Sequence, residues 1–226
     1  MLEEAPADEA RAALDRALLN AIRARLEAGF GERPDGDAIA LRPLLASVPA
    51  TEAAAFRALR GRVEAASVPV VVCGARASLL AADRFGLNFR TVDDPDVALA
   101  AAAGGGSAVL DVDAARPWWG RMLARPELSV AAALPDDRRA RPQALVVSTR
   151  KSGPTGDDRS FWVTDAPWPD SRIVQTLSQA GLAAEPLAAR GGLKLFTLAG
   201  YVQADDGRLI DAPGALSGVI GAAPVF

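Results

Sequence analysis

The stretch VPVVVCGARASLLAADRFG, residues 68–86, runs from an oily segment through one glycine into apolar residues at helical spacing. Its first half reads as a buried strand, Gly74 as a tight corner, and the second half as a helix. Many nucleotide sites open in this way, because the free N–H groups of a helix N-terminus attract an anion. Here no further glycine follows at the fingerprint spacing, and no Gly-Lys-Ser/Thr stands in the segment. The residues specify a strand-to-helix corner. They leave open whether Gly74 faces a ligand or simply turns the chain.

Working outward from that corner, strand-like and helix-like segments alternate as far as Arg150. FRTVDD, SAVLDVD, LSVAAAL and ALVVSTR read as strands, with PDVALAAAAGG and ARPWWGRMLARP between them. Such alternation predicts a small, mainly parallel, doubly wound α/β lobe over 68–152. KSGPTGDD, 151–158, reads as a polar linker or turn. Beyond it come a strand, the helix DSRIVQTLSQAG, a hairpin around Gly191 and Gly192, and a last strand SGVIGAAPV. This order predicts an α+β sandwich over 153–226, so the whole chain is expected to be α+β. The tryptophans Trp118 and Trp119 read as cover between helix and sheet.

Residues 1–67 read as helical. DEARAALDRALLNAIRARLEAG follows Pro6 and stops at Gly29 and Gly31, with Asp8 and Glu9 at its negative first turn. Leu14, Leu18, Ile22 and Leu26 recur every four residues and form one apolar stripe. Arg11, Asp15 and Arg25 fall on or beside that stripe, Arg25 about 20° from Leu14 on the helical wheel. A stripe of this kind needs a partner, so a homodimer is expected. Two further helices are predicted over 37–48 and 50–67, the first weakened by Pro43.

Composition removes several chemistries. The net charge of −3 and pI near 5.1 argue against nucleic acid, which calls for clustered cations. With no histidine in the chain, Ser-His triads and His-ligated metals are excluded. A single cysteine, Cys73, excludes an internal disulfide and a structural zinc site. No metal and no cofactor are expected. The acidic start is unlike a signal peptide, and the longest apolar run, 97–110, is too short to span a bilayer. A cytoplasmic protein with no membrane partner is expected. Asp111 and Asp113 share one face at a strand's C-terminal end, where open α/β sheets bind ligands.

Read together, the three zones resemble the chorismate mutase–prephenate dehydratase family of phenylalanine synthesis. AALDRALLNAIRARLEA resembles the first helix of an all-helical chorismate mutase at Leu14, Asp15, Leu18, Leu19 and Arg25. VVVCGARASLLAADRFG resembles the opening turn of a prephenate dehydratase lobe at Gly74, Ser78, Ala81 and Ala82. GDDRSFWVTD through LKLFTLAGYVQADDGRL to VIGAAPV resembles a closing ACT regulatory domain.

The resemblance implies catalytic roles in chorismate isomerisation for Arg25 and Arg42 and ligand-carboxylate binding at the turn of Gly74 and Ser78; Arg11, from its place on the helix stripe, is a further catalytic candidate, and Asp111 and Asp113, from their place at the strand end, are further ligand-binding candidates. It implies as partners a small carboxylate (chorismate, prephenate or an aromatic amino acid), a second chain copy and an enzyme of the aromatic pathway. Family cations are missing near Asp8 and Gly36, and there is no room for a second dehydratase lobe. The expectation is therefore a shikimate-pathway relative that binds a small carboxylate or a partner enzyme with catalysis reduced or lost. An active chorismate mutase completed across a dimer and a non-catalytic assembly subunit stand as alternatives.

Overall fold

The computed structural model of the protein describes residues 8–28, 34–138 and 140–226. The chain divides into two compact units, 1–30 and 31–226. The first contains helix α1, Glu9–Ala28, none of whose residues is buried. Asp8 starts it by accepting the Arg11 N–H at 3.0 Å, which satisfies one of the donors left over at a helix N-terminus. Pro6, Gly29 and Gly31, expected to frame this helix, lie outside the described residues.

The second unit opens with α2, Pro34–Ala46, and α3, Ala50–Ser67; α2 continues through Pro43. The predicted alternation follows as β1 (Val70–Cys73), α4 (Ala75–Phe85), β2 (Arg90–Val92), α5 (Pro95–Ala103) and β3 (Ser107–Asp111). Next come α6 (Trp119–Met122), β4 (Ser129–Leu134) and β5 (Ala144–Ser148). The last quarter gives β6 (Asp158–Thr164), α7 (Asp170–Gln179), β7 (Ala184–Arg190), β8 (Leu193–Ala199) and β9 (Ser217–Pro224). Seven helices and one nine-stranded mixed sheet among the described residues make the fold α+β.

Strand order in the sheet is β2-β1-β3-β5-β4-β9-β6-β8-β7. β1 is parallel to β2 and β3, but β5 is antiparallel to both β3 and β4. The expected mostly parallel sheet is corrected here. Only residues 135–143 join β4 to β5, with no helix among those described, and so short a connection returns the chain antiparallel to the strand it left. β5 thereby enters between β3 and β4. β4 meets β9 in parallel at Val130↔Gly221, so the strands before and after 150 form one sheet.

Side chains alternate between the two faces, as a strand's period requires. Val71, Cys73, Ala108, Leu110, Leu145 and Val147 share a core with α5, with Trp118 and Trp119, and with Phe161, Val163 and Leu195 of β6 and β8. On the other face, Val70, Val72, Val109 and Val146 pack against Ala65 of α3 and against Ala77, Ala81 and Phe85 of α4. At the far end, Trp162, Phe196 and Leu198 pack against Ile173 and Leu177 of α7. Gly61 sets the approach of α3 to α4, since a Cβ there would lie 2.1 Å from the Arg84 carbonyl oxygen.

Candidate functional site

The corner at Gly74 is filled by the chain itself. Gly74 is the N-cap of α4, with φ +110°, and having no side chain it cannot accept the first-turn N–H groups. Asp111 supplies the acceptor from the neighbouring strand. β1 and β3 run side by side with Cys73 opposite Leu110, which places Asp111 next to Gly74. Its carboxylate accepts from the Ala77 N–H and, at 3.3 Å, from the Arg76 N–H. A Cβ on Gly74 would fall 2.2 Å from Asp111 Oδ2. The glycine makes room for the aspartate. The Asp111 carbonyl also accepts the Trp118 indole N–H at 2.7 Å, tying the corner to the tryptophan pair.

Burial pushes the Asp111 carboxyl above its ordinary value, the two backbone N–H bonds and Arg76 oppose that rise, and Asp113 adds to it. Burial also raises the Cys73 thiol, with the charges of Asp111, Asp94 and Asp93 acting in the same direction. The thiol is thus held in its protonated, unreactive form.

Ser78 turns back onto its own helix, its hydroxyl donating to the Gly74 carbonyl at 2.8 Å. Asp113 is exposed and pairs with Arg190 at 3.3 Å. The Arg42 guanidinium donates to Thr155 O at 2.8 Å, Thr155 Oγ1 at 2.9 Å, Asp157 O at 2.9 Å and Val225 O at 3.1 Å. It fastens α2 to both ends of the last sheet segment. Arg11 and Arg25 lie exposed on α1, in the other unit. Gly74, Ser78 and Asp111 are therefore brought together, and Arg42 stands apart from them as a clamp. Among the described residues no group of His, Cys, Asp and Glu is placed to hold a metal ion, and no helix is long and apolar enough to cross a membrane.

A large opening lies elsewhere, beside the one rung that joins β9 to β4. Gly221, φ +136°, allows the two backbones to meet; a Cβ there would lie 2.3 Å from Val130 N. One residue upstream the register against β6 shifts, with Phe161 opposite Gly221 but Trp162 opposite Val219. Such a bulge bends the strand. β9 meets β4 at one rung only, and ahead of that rung a cleft of about 650 Å³ opens between residues 216–222 and the segment 122–129 that leads into β4, with 151–152 and 201–205 completing its wall. Its apolar lining includes Leu123, Leu128 and Val219, and its polar lining includes Lys151, Tyr201 and Asp205.

Lys151 is exposed and has no ion-pair partner among the described residues. The other lysine, Lys194, is bound to Asp170 at 2.8 Å and to the Trp168 carbonyl. The cleft thus offers one uncommitted ammonium beside an apolar surface. Its size lies within the range of small-molecule sites. Reading the sequence did not find it, because Leu123, Lys151, Tyr201 and Val219 come from four separate segments. The signals present were Gly218 and Gly221 inside a strand, which mark a bulge or a close backbone approach.

No protein-family model matches the chain, and no curated protein matches it. A solved structure described as "GqqA- a novel type of quorum quenching acylases" is similar with a TM-score of 0.47 at 16% identity, over 70% of this chain and 95% of that one. No family is assigned. At that TM-score the likeness says nothing of this chain's activity. The expected membership in the chorismate mutase–prephenate dehydratase family is corrected: no family model, that family's included, matches the chain. The expected place in aromatic amino-acid synthesis, whether as a mutase, a reduced relative or an assembly subunit, falls with it. The geometry gives a physical reason at one residue, since Arg42 is engaged by backbone carbonyls and not held open for a substrate.

Proposed function

We propose that the protein binds a small monocarboxylate with an apolar body in the cleft between β4 and β9. The observation that carries this reading is Lys151, a cation with no ion-pair partner among the described residues, on the wall of a half-apolar cleft. A carboxylate would pair with the ammonium while the rest of the ligand covers Leu123, Leu128 and Val219, a division common to small-molecule sites. Lys151 and Asp205 together give the lining no net charge, which suits a single carboxylate better than a polyanion. The Gly74 corner is not chosen, because Asp111 already occupies its N–H groups. Hexanoate should bind and shift the backbone resonances of Lys151 and Val219, whereas hexylamine should not. Equal binding of both would overturn the reading.

Two finer features of layout belong to the same proposal. Residues 153–226 are read as an ACT-like α+β sandwich, supported by the antiparallel run β9-β6-β8-β7 with α7 following β6. Residues 68–152 are read as a doubly wound lobe, supported by α4 and α5 packing on opposite faces.

A further inference from the structure

Ser217, Gly218 and Val219 pair with Thr164, Val163 and Trp162 of β6 on one side and, among the described residues, with no strand on the other. A strand bonded on one side only presents its remaining N–H and C=O groups as a template for a further strand. Proteins normally protect such edges. The border strand β7 carries Pro186 and a register shift between Pro186 and Ala188, both of which discourage pairing. Over 217–219 the edge of β9 carries neither proline nor charge. It also lies inside the sheet order and not at its border, and its residues line the cleft that holds Lys151.

We propose that this edge takes up a short peptide in extended conformation as an added strand, with the peptide's carboxylate paired to Lys151. The inference rests on the carboxylate reading of the cleft and names the class of ligand. Main-chain hydrogen bonds to an exposed strand edge supply affinity in this mode of recognition, and pockets beside the strand read alternate side chains. Three residues of edge span about 10 Å, enough to bond a tri- or tetrapeptide. Leu123 lies over Gly218, where a Cβ would come within 2.9 Å of its Cδ2, so an apolar wall stands directly beside the edge. Lys151, the one ammonium lining the cleft and without an ion-pair partner among the described residues, answers the one negative charge that a capped peptide with a free C-terminus carries.

The test is titration calorimetry on the full chain with acetyl-Ala-Val-Ala-Leu as free acid, as its C-terminal amide, and N-methylated at its two central amides. The free acid should bind about tenfold more tightly than either modified peptide, the loss expected from one charged or one or two backbone hydrogen bonds. In Lys151→Met the free acid and the amide should bind alike, while N-methylation should still weaken both. Equal affinity of the N-methylated and unmodified peptides would overturn the added strand. If hexanoate binds as tightly as the free-acid peptide, the peptide inference fails and the carboxylate reading stands. If neither binds, both fall.

Discussion

Asp111 offers a test of how the first corner of the sheet is held, because its charge and its capping role pull in opposite directions. Its carboxylate accepts the Ala77 and Arg76 N–H groups at the start of α4, where Gly74 can offer no side chain. Asp111→Ala leaves those donors unsatisfied and should cost about 1–2 kcal/mol, the usual effect of losing a cap. Asp111→Asn keeps one acceptor and removes the half-buried charge, so it should cost less than the alanine variant at neutral pH. The folded-state pKa of Asp111 lies above the ordinary 3.8, chiefly through burial. The folded protein therefore binds this proton more tightly than the unfolded chain, and ionised Asp111 works against stability at neutral pH. That burden is relieved as pH falls from neutrality through the raised folded value toward 3.8. Urea denaturation at about pH 7 and at about pH 4, close to the ordinary value of 3.8, reads it as the difference between wild type and Asp111→Asn. Wild type should gain on the asparagine variant as the solution is acidified. A wild type that instead loses ground on acidification would refute the reasoning, since that is the behaviour of a carboxylate stabilised in its charged form.

Three further outcomes follow from contacts already described. Arg42→Met keeps the side-chain stem but loses four hydrogen bonds to Thr155, Asp157 and Val225; it should cost about 2–3 kcal/mol by urea denaturation, given solvent access to the half-buried group, and an unchanged midpoint would contradict the clamp. Gly61→Ala should destabilise by about 1–3 kcal/mol despite alanine's better helix propensity, because its Cβ meets the Arg84 backbone; a stabilised variant would mean that α3 and α4 are not in close approach. We also propose that a second chain copy covers the exposed Leu14, Leu18 and Leu26 of α1. Light scattering should then give twice the 23.4 kDa chain mass and Leu18→Glu should halve it, whereas a monomer at tens of micromolar would remove the pairing.

What could be read in advance was local. The strand at 70–73, the glycine corner and the helix at 75–85 follow from an oily run, one glycine and a change of hydrophobic period. The hairpin turn at Gly191 and Gly192 follows in the same way, since both adopt positive φ. What escaped was set by partners distant in sequence. Nothing in ALVVSTR reveals that it runs antiparallel between β3 and β4, because an apolar strand buried on both faces looks the same in either direction. Gly74 was visible as a corner, but its filler, Asp111, comes from the neighbouring strand. KSGPTGDD reads as a linker by composition, yet Thr155 and Asp158 are buried and hydrogen-bonded within it. The cleft escaped for the same reason: it exists only where Gly221 draws β9 against β4 and a bulge turns β9 away.

Whether the cleft beside β9 is a carboxylate site with Lys151 as its cation is decided by titrating hexanoate into wild type and Lys151→Met by calorimetry. Methionine keeps the length and apolar stem of lysine and removes the charge, and the residue's exposure makes the fold indifferent to the change. Wild type should bind hexanoate, and the variant should bind it about tenfold more weakly, the loss of one charged hydrogen bond. Undiminished binding in Lys151→Met, or no binding to wild type, would contradict the claim.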